Sequence, residues 1–261
     1  MNKQNSKQPV VHKGTATSTG GVPSKKSVAV FDIDGTIFRS SLLIKLVEEL
    51  ISRGDFPESA RLVYQKYEEA WVDRKGSYED YIQKVIDTFT GHIKGLPYES
   101  LHEASLAVSK RQKDVRYNYT SRLISKLKKE GYYLLAVSQS PWAVLENFCK
   151  SLGFDKVYGR FYELGPNERL TGEVRGEGLI SDKAAVLRRA VNKYGLTLKG
   201  SVGVGDTEGD IPMLSLVENP VCFNPNAKLA KVARSNGWNI VVERKDVIYE
   251  WSGKDGATKI I

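Results

Sequence analysis

The 261-residue chain is poor in the residues that build covalent or histidine-based sites: it has two cysteines and three histidines. Two cysteines cannot frame a disulfide scaffold. Cys149, on a helical pattern, and Cys222, in the strand-like Pro220–Phe223, read as buried, reduced thiols of a cytoplasmic protein. His12, His92 and His102 are too scattered for a histidine metal site or a catalytic triad. No apolar run exceeds Tyr132–Val137, and mean hydropathy is −0.36, whereas a membrane-spanning helix needs about 20 apolar residues. Residues 1–26 lack Asp, Glu and Arg but hold Lys3, Lys7, Lys13, Lys25 and Lys26. They have neither the apolar stretch of a secretory signal nor the Arg-rich amphipathic pattern of a transit peptide, and their composition is that of a disordered basic tail. This tail supplies five of the eight net positive charges. The net charge suggests an anionic partner, for which nucleic acid, a membrane surface and a phosphorylated substrate are all candidates.

What is present is a change of periodicity. Val28–Phe31 is a β-branched and aromatic run of the kind buried on both faces of a parallel sheet. From Ser41 to Val115 apolar residues recur at three and four. Leu42, Leu43, Leu46, Val47 and Leu50 form one stripe, Leu62, Val63, Tyr67 and Trp71 the next, and two more follow to Val108. Breaks at Gly54–Pro57, Gly76-Ser77 and Gly95–Pro97 predict four consecutive helices. Thereafter strands and helices alternate to Val242, with a hairpin over residues 163–176. The expected fold is α/β, a doubly wound parallel sheet built from residues 27–40 and 116–261, with residues 41–115 as an inserted all-helical cap.

Chemistry-bearing residues fall at the strand ends. Asp32 and Asp34, two apart after the first strand, point the same way at the carboxyl edge, where open α/β sheets bind ligands. Paired carboxylates need a cation or a shared proton, although a loop cap would explain them too. Asp206 and Asp210 follow another strand of small residues, where Asp210-Ile211-Pro212 also reads as a helix N-cap. Together these acids are hard oxygen ligands suited to Mg2+ rather than Zn2+. Ser138-Gln139-Ser140 offers a hydroxyl and backbone N–H groups for an anion, or an ordinary helix cap. Lys183, near the start of a later helix, is a phosphate ligand or a solvated charge.

In their order along one rim these signals resemble the haloacid dehalogenase-like phosphohydrolases. Asp32-Ile33-Asp34-Gly35-Thr36 looks like the first motif of that superfamily, Ser138 its second, Lys183 its third and Gly205-Asp206 to Asp210 its fourth. The helical insertion, with Leu170–Val174 as part of a hairpin, resembles the branch containing phosphoserine phosphatase. The resemblance implies a Mg2+-dependent phosphatase acting on a small phosphomonoester, with an aspartyl phosphate on Asp32. It implies Asp34 as general acid and base, and Mg2+ on Asp32, the Asp34 carbonyl and Asp206, with Asp210, Thr36 and Gly35 in support. Ser138, the N–H of Gln139 and Lys183 would bind the phosphoryl oxygens. One departure concerns the substrate: where phosphoserine phosphatases carry a glutamate this chain has, by spacing, Ser41 or a neighbour, the nearest carboxylates being Glu48 and Glu49, about two turns on. The helical region is also rich in aromatics, among them Tyr64, Tyr67, Trp71, Tyr78, Tyr81, Phe89 and Tyr98, with Trp142 after the second motif. They read as helix packing, or as a cage for the quaternary ammonium of a phosphocholine-like substrate; phosphoethanolamine is the related possibility. Arg39 is a further substrate contact or a surface charge. Transfer of the phosphoryl group to an acceptor other than water, and nucleic-acid binding through the lysine tail, are the competing functions.

Overall fold

A computed structural model describes residues 25–253 and 256–260. The tail up to residue 24, with His12 and the first three tail lysines, lies outside the described residues.

The first strand, β1 (Ser27–Phe31), is buried along both faces. The chain then forms α1 (Leu42–Ser52), α2 (Gln65–Val72), α3 (Tyr78–Ile93) and α4 (Tyr98–Gln112). The alternating part runs through α5 (Asn118–Lys129), β2 (Tyr133–Pro141), α6 (Trp142–Leu152), β3 (Lys156–Arg160), β4 (Tyr162–Leu164) and β5 (Leu170–Val174). It continues with α7 (Glu177–Ile180), α8 (Lys183–Tyr194), β6 (Thr197–Gly205), α9 (Ile211–Leu214), β7 (Asn219–Phe223), α10 (Ala227–Asn236) and β8 (Asn239–Arg244). Two further strands, β9 (Val247–Trp251) and β10 (Thr258–Ile260), close the described chain.

The main sheet has the order β10-β9-β8-β7-β6-β1-β2-β3. Pairings from β3 across to β8 are parallel, and β9 and β10 add an antiparallel edge that periodicity did not predict. The β4–β5 hairpin forms a separate two-stranded sheet. Alternate residues of β1 serve opposite faces: Ala29 and Phe31 pack in a core with α1, α4, α5 and α6, while Val28 and Val30 pack with α8, α9 and α10. Because the chain leaves β1 in one direction along the sheet and returns on its other side at β6, the carboxyl ends of β1 and β6 flank a topological switch point, where such sheets open a crevice.

The helical block differs from expectation in one place. The stripe of Leu62, Val63, Tyr67 and Trp71 is not one helix: Glu58–Val63 is a 3-10 segment and α2 starts afresh at Gln65. Leu62 is 71 % exposed, whereas Phe56, Ala60 and Tyr64 are buried. Burial of those three, four residues apart, sets the register, and the wide Tyr64 ring takes the place expected for Leu62 and Val63. Among the described residues no helix is long and apolar enough to cross a membrane. Cys149 and Cys222 are both free and buried.

Candidate active site

Four strand ends or helix starts bring the predicted residues together. Asp32 directly follows β1, and its N–H donates to the Val204 carbonyl of β6 at 2.9 Å, which ties the first acidic loop to the strand carrying Asp206. The loop turns sharply at Gly35, whose φ of +81° is left-handed. A Cβ there would fall well inside van der Waals contact of Asp206 Oδ2 and 3.0 Å from its Cγ, so only glycine allows the two acidic loops to meet. Thr36 fastens them, its hydroxyl donating to Asp206 Oδ1 at 3.0 Å.

Lys183, at the start of α8, is 6 % exposed. Its Nζ donates to Asp32 Oδ1 at 2.6 Å and to Asp210 Oδ1 at 2.5 Å, so it is not solvated. The placement follows from Asp182, whose side chain caps α8 through the N–H groups of Ala184 and Ala185 and points the first helical residue into the rim. Asp210 is fully buried. Its other oxygen accepts from the N–H of Asp206 at 3.0 Å and of Thr207 at 3.1 Å, closing a capping box over a 3-10 turn rather than capping α9. Gly205 makes this possible, since a Cβ there would lie 2.5 Å from Asp210 Cβ.

Carboxylate oxygens of Asp32, Asp206 and Asp210 all lie within 4.8 Å of one another. Three carboxyl groups thus face one ammonium. Burial, with the repulsion of Asp210 and Asp34, outweighs Lys183 and pushes the Asp32 carboxyl up to about 7. Burial and its neighbours Asp32 and Asp210 hold Asp206 well above the usual carboxylate range. Burial alone would lower Lys183, but Asp210 and Asp32 more than reverse this and keep it a cation. The donors are all hard oxygens, and a divalent cation would relieve their repulsion.

Asp34 is engaged elsewhere. Its Oδ1 accepts the N–H of Leu42 at 2.5 Å at the start of α1, while Oδ2 accepts the hydroxyls of Ser138 at 2.8 Å and Ser140 at 2.7 Å. Burial raises its pKa despite these donors. The serines therefore do not cap α6, whose N-cap position is Pro141 without a side-chain bond. Ser140 is the residue sequence reasoning passed over: the spacing Ser-x-Ser at a strand end puts both hydroxyls on one side, which was the available signal. Gln139, between them, is exposed, and its side chain accepts from Arg160 at 3.3 Å.

The helical block reaches the rim. The Tyr78 phenol, at the start of α3, is pushed up by partial burial and by the field of Asp34, Asp206 and Asp32. Lys228 of α10 lies 3.9 Å from Glu79 of α3 and 2.5 Å from Glu208 beside the fourth motif. Of the aromatics that read as helix packing or as a cage, Trp71 carries Arg74 at 5.4 Å, Tyr67 carries Lys66 at 5.0 Å and Tyr64 carries Arg61 at 5.8 Å, while Arg39 lies 5.6 Å over Tyr117. Arg39 thus packs on Tyr117 rather than reaching the acids. Ser41 is buried and caps α1 by accepting the N–H of Leu43.

Comparison with known proteins gives the family of this chain. A family model described as haloacid dehalogenase-like hydrolase matches residues 29–215. Phosphoserine phosphatase SerB1 of Mycobacterium tuberculosis is 26 % identical over 222 residues, 82 % of this chain and 70 % of that protein. A histidinol-phosphatase of Neisseria meningitidis is 26 % identical over 232 residues, 83 % of this chain and 98 % of that protein. A solved structure of phosphoserine phosphatase as a phospho-aspartyl intermediate analogue superposes with a TM-score of 0.58 at 23 % identity, covering 85 % of this chain and 96 % of that one.

Proposed function

Since the chain belongs to the haloacid dehalogenase-like hydrolases and is a phosphatase related to phosphoserine phosphatases, we propose that it is a Mg2+-dependent hydrolase of a small phosphomonoester, working through an aspartyl phosphate. The observation that supports this reading best is the convergence of Asp32, Asp206 and Asp210 on one buried lysine, Lys183. In this reading residues 27–40 and 116–261 form the catalytic core and residues 41–115 the cap that covers it.

Asp32 attacks phosphorus with one carboxylate oxygen while the ester oxygen departs, so a phosphoryl group passes from substrate to Asp32 and one hard displacement becomes two easier ones. Asp34, its proton affinity raised by burial, protonates the leaving oxygen and then takes a proton from the water that opens the aspartyl phosphate. General acid–base help of this kind contributes roughly 10² to 10⁴ in rate. Ser140 keeps Asp34 oriented while Ser138 turns its hydroxyl to a phosphoryl oxygen, next to the Gln139 N–H. Lys183 stands 2.6 Å from Asp32, within reach of the charge that develops on the transferring group. Asp32, the Asp34 carbonyl and Asp206 would hold Mg2+, with Asp210 beside them. When bound, the ion supplies Lewis-acid polarisation of the phosphoryl oxygens and screens Asp32 from its acidic neighbours.

Phosphate release from p-nitrophenyl phosphate, measured with Mg2+ and with excess EDTA, tests the assignment. The wild type should turn over only with metal, and Asp32→Asn should lose turnover while melting as a folded protein. Turnover by Asp32→Asn at the wild-type rate refutes the mechanism.

A further inference from the structure

The end of β2 that carries Ser138 and Ser140 leaves the regular ladder. β2 pairs with β3 in parallel, Val137 opposite Tyr158 and Pro141 opposite Arg160. Ser138, Gln139 and Ser140 thus stand against Gly159 alone, a bulge of the kind that re-aims side chains beside active sites. Gly159 lets the bulge lie close, since a Cβ there would meet the Ser140 carbonyl oxygen at 3.0 Å and Trp142 Cα at 3.1 Å. The two serines are buried, 1 % and 5 % exposed, and Gln139 stands outside between them. Backbone released from its ladder needs another restraint if the Gln139 N–H is to stay aimed.

Arg160, the residue after Gly159, supplies that restraint. Its Nη2 donates to Gln139 Oε1 at 3.3 Å and its Nη1 to Glu177 Oε1 at 3.2 Å. The side chain is only 21 % exposed. It also lies against the hydroxyl of the buried Tyr162, where burial raises the phenol and Arg160 opposes the rise. A guanidinium holds its donors in a rigid planar fork, so its two partners are kept at a set separation. Glu177 opens α7, which runs straight into α8: the Ser181 N–H donates to the Glu177 carbonyl at 3.0 Å and the Asp182 N–H to the Leu179 carbonyl at 3.1 Å. The next residue is Lys183. One side chain therefore spans from the loop of Ser138 and Gln139 to the segment that delivers Lys183.

We propose that Arg160 is a positioning residue, a strut that fixes the Gln139 N–H relative to Lys183 so that both meet the same transferring phosphoryl group. The proposal rests on the phosphomonoesterase reading, in which those two groups bind phosphoryl oxygens. Arg160 acts through Gln139 and Glu177, to which its two terminal nitrogens are committed, and not by touching the substrate. Donors already in place need no reorganisation as charge develops on the phosphoryl oxygens, and small misplacements are costly in rate. Loss of the strut therefore falls on kcat more than on KM.

The test is phosphate release by the full chain with Mg2+ from p-nitrophenyl phosphate and from propyl phosphate, together with inhibition by orthovanadate, which mimics the transferring group and carries no leaving group. Arg160→Met, Gln139→Ala and Glu177→Ala should each lower kcat and raise the vanadate Ki by about two- to tenfold, the worth of one hydrogen bond. The factor should be the same for both esters. Melting should stay close to wild type, since partly exposed ion pairs add little stability. Arg160→Lys should recover part of the loss. Gln139→Ala combined with Arg160→Met should be no worse than Arg160→Met alone, because both cut the same strut. Losses that multiply in the double variant overturn the proposal, as do wild-type kcat and vanadate Ki in Arg160→Met. A defect of Arg160→Met confined to the KM of one ester, with vanadate unaffected, assigns a direct substrate contact and overturns it too. In all these cases turnover by the wild type leaves the phosphatase reading intact. A wild type that releases phosphate from neither ester refutes that reading, and the strut falls with it.

Discussion

The close approach of the two acidic loops at Gly35 allows a perturbation whose parts can be separated. Alanine at position 35 meets two penalties. The first is conformational: a φ of +81° is left-handed, which disfavours an L-residue by about 1–2 kcal/mol. The second is steric, because the new methyl group would overlap Asp206 Oδ2. Moving that carboxylate breaks its 3.0 Å bond from Thr36, a hydrogen bond to a charged group contributing about 1.5–3 kcal/mol, and takes Asp206 away from Asp32 and Asp210. Gly54 and Gly131 provide the control, with φ of +77° and +82° and nothing within 4 Å of a built Cβ. At about 2–4 °C per kcal/mol for a chain near this size, Gly54→Ala and Gly131→Ala should melt about 2–8 °C below wild type with unchanged Mg2+ dependence. Gly35→Ala should melt lower still, by about 5–20 °C in all, and need at least about tenfold more Mg2+ for half-maximal phosphate release. Thermal melts with and without Mg2+, and phosphate release titrated with Mg2+, read both parts. If Gly35→Ala matches the two controls in melting temperature and Mg2+ requirement, the argued contact between the loops is wrong.

Lys183→Met should abolish turnover and lower stability by about 3–5 kcal/mol, since it leaves Asp32 and Asp210 buried without their cation. The carboxyl of Asp32 already sits near 7 against an ordinary 3.8, so ionising it weighs against the folded state, increasingly as pH climbs through that window. Without the lysine that penalty deepens, and the melting deficit of Lys183→Met against wild type should be larger at pH 8 than at pH 5; a pH-independent deficit contradicts this. Glu243→Ala should lower stability by about 0.5–2 kcal/mol in a urea melt, because both carboxylate oxygens of Glu243 cap α5 through the N–H groups of Asn118 and Tyr119. Both thiols should resist a disulfide reagent in the native protein and react on unfolding, as burial raises Cys149 and pushes Cys222 up to about 12. Fast native labelling would show that α6 or β7 opens.

Much of the architecture was legible because it depends on local pattern. Val28–Phe31 can bury both faces only inside a parallel sheet, and helical spacing from Ser41 to Val115 cannot alternate with strands, so the inserted helical block followed. Asp32, Asp34, Ser138, Lys183, Asp206 and Asp210 each stood at a strand end or helix start, and a parallel sheet carries all such positions to one rim. The short Glu58–Val63 turn escaped notice because Leu62 and Val63 fit a helical stripe as well as Phe56, Ala60 and Tyr64 do, and only packing chooses between them. The terminal strands β9 and β10 were missed for a similar reason, as an edge hairpin has only one buried face and a weak pattern.

What the sequence by itself determined was which residues could do phosphoryl chemistry and on which edge of the fold they would stand, since period and position are properties of neighbours in the chain. What only the tertiary structure decided was who holds whom. Asp34 is bonded to Ser138 and Ser140, 104 and 106 residues away, Lys183 joins Asp32 to Asp210, and the buried Tyr64 hydroxyl finds no hydrogen-bond partner. Such pairings depend on distances set by helix and sheet packing, and a side chain's partner, charge state and purpose change with a shift of an ångström that no spacing along the chain records.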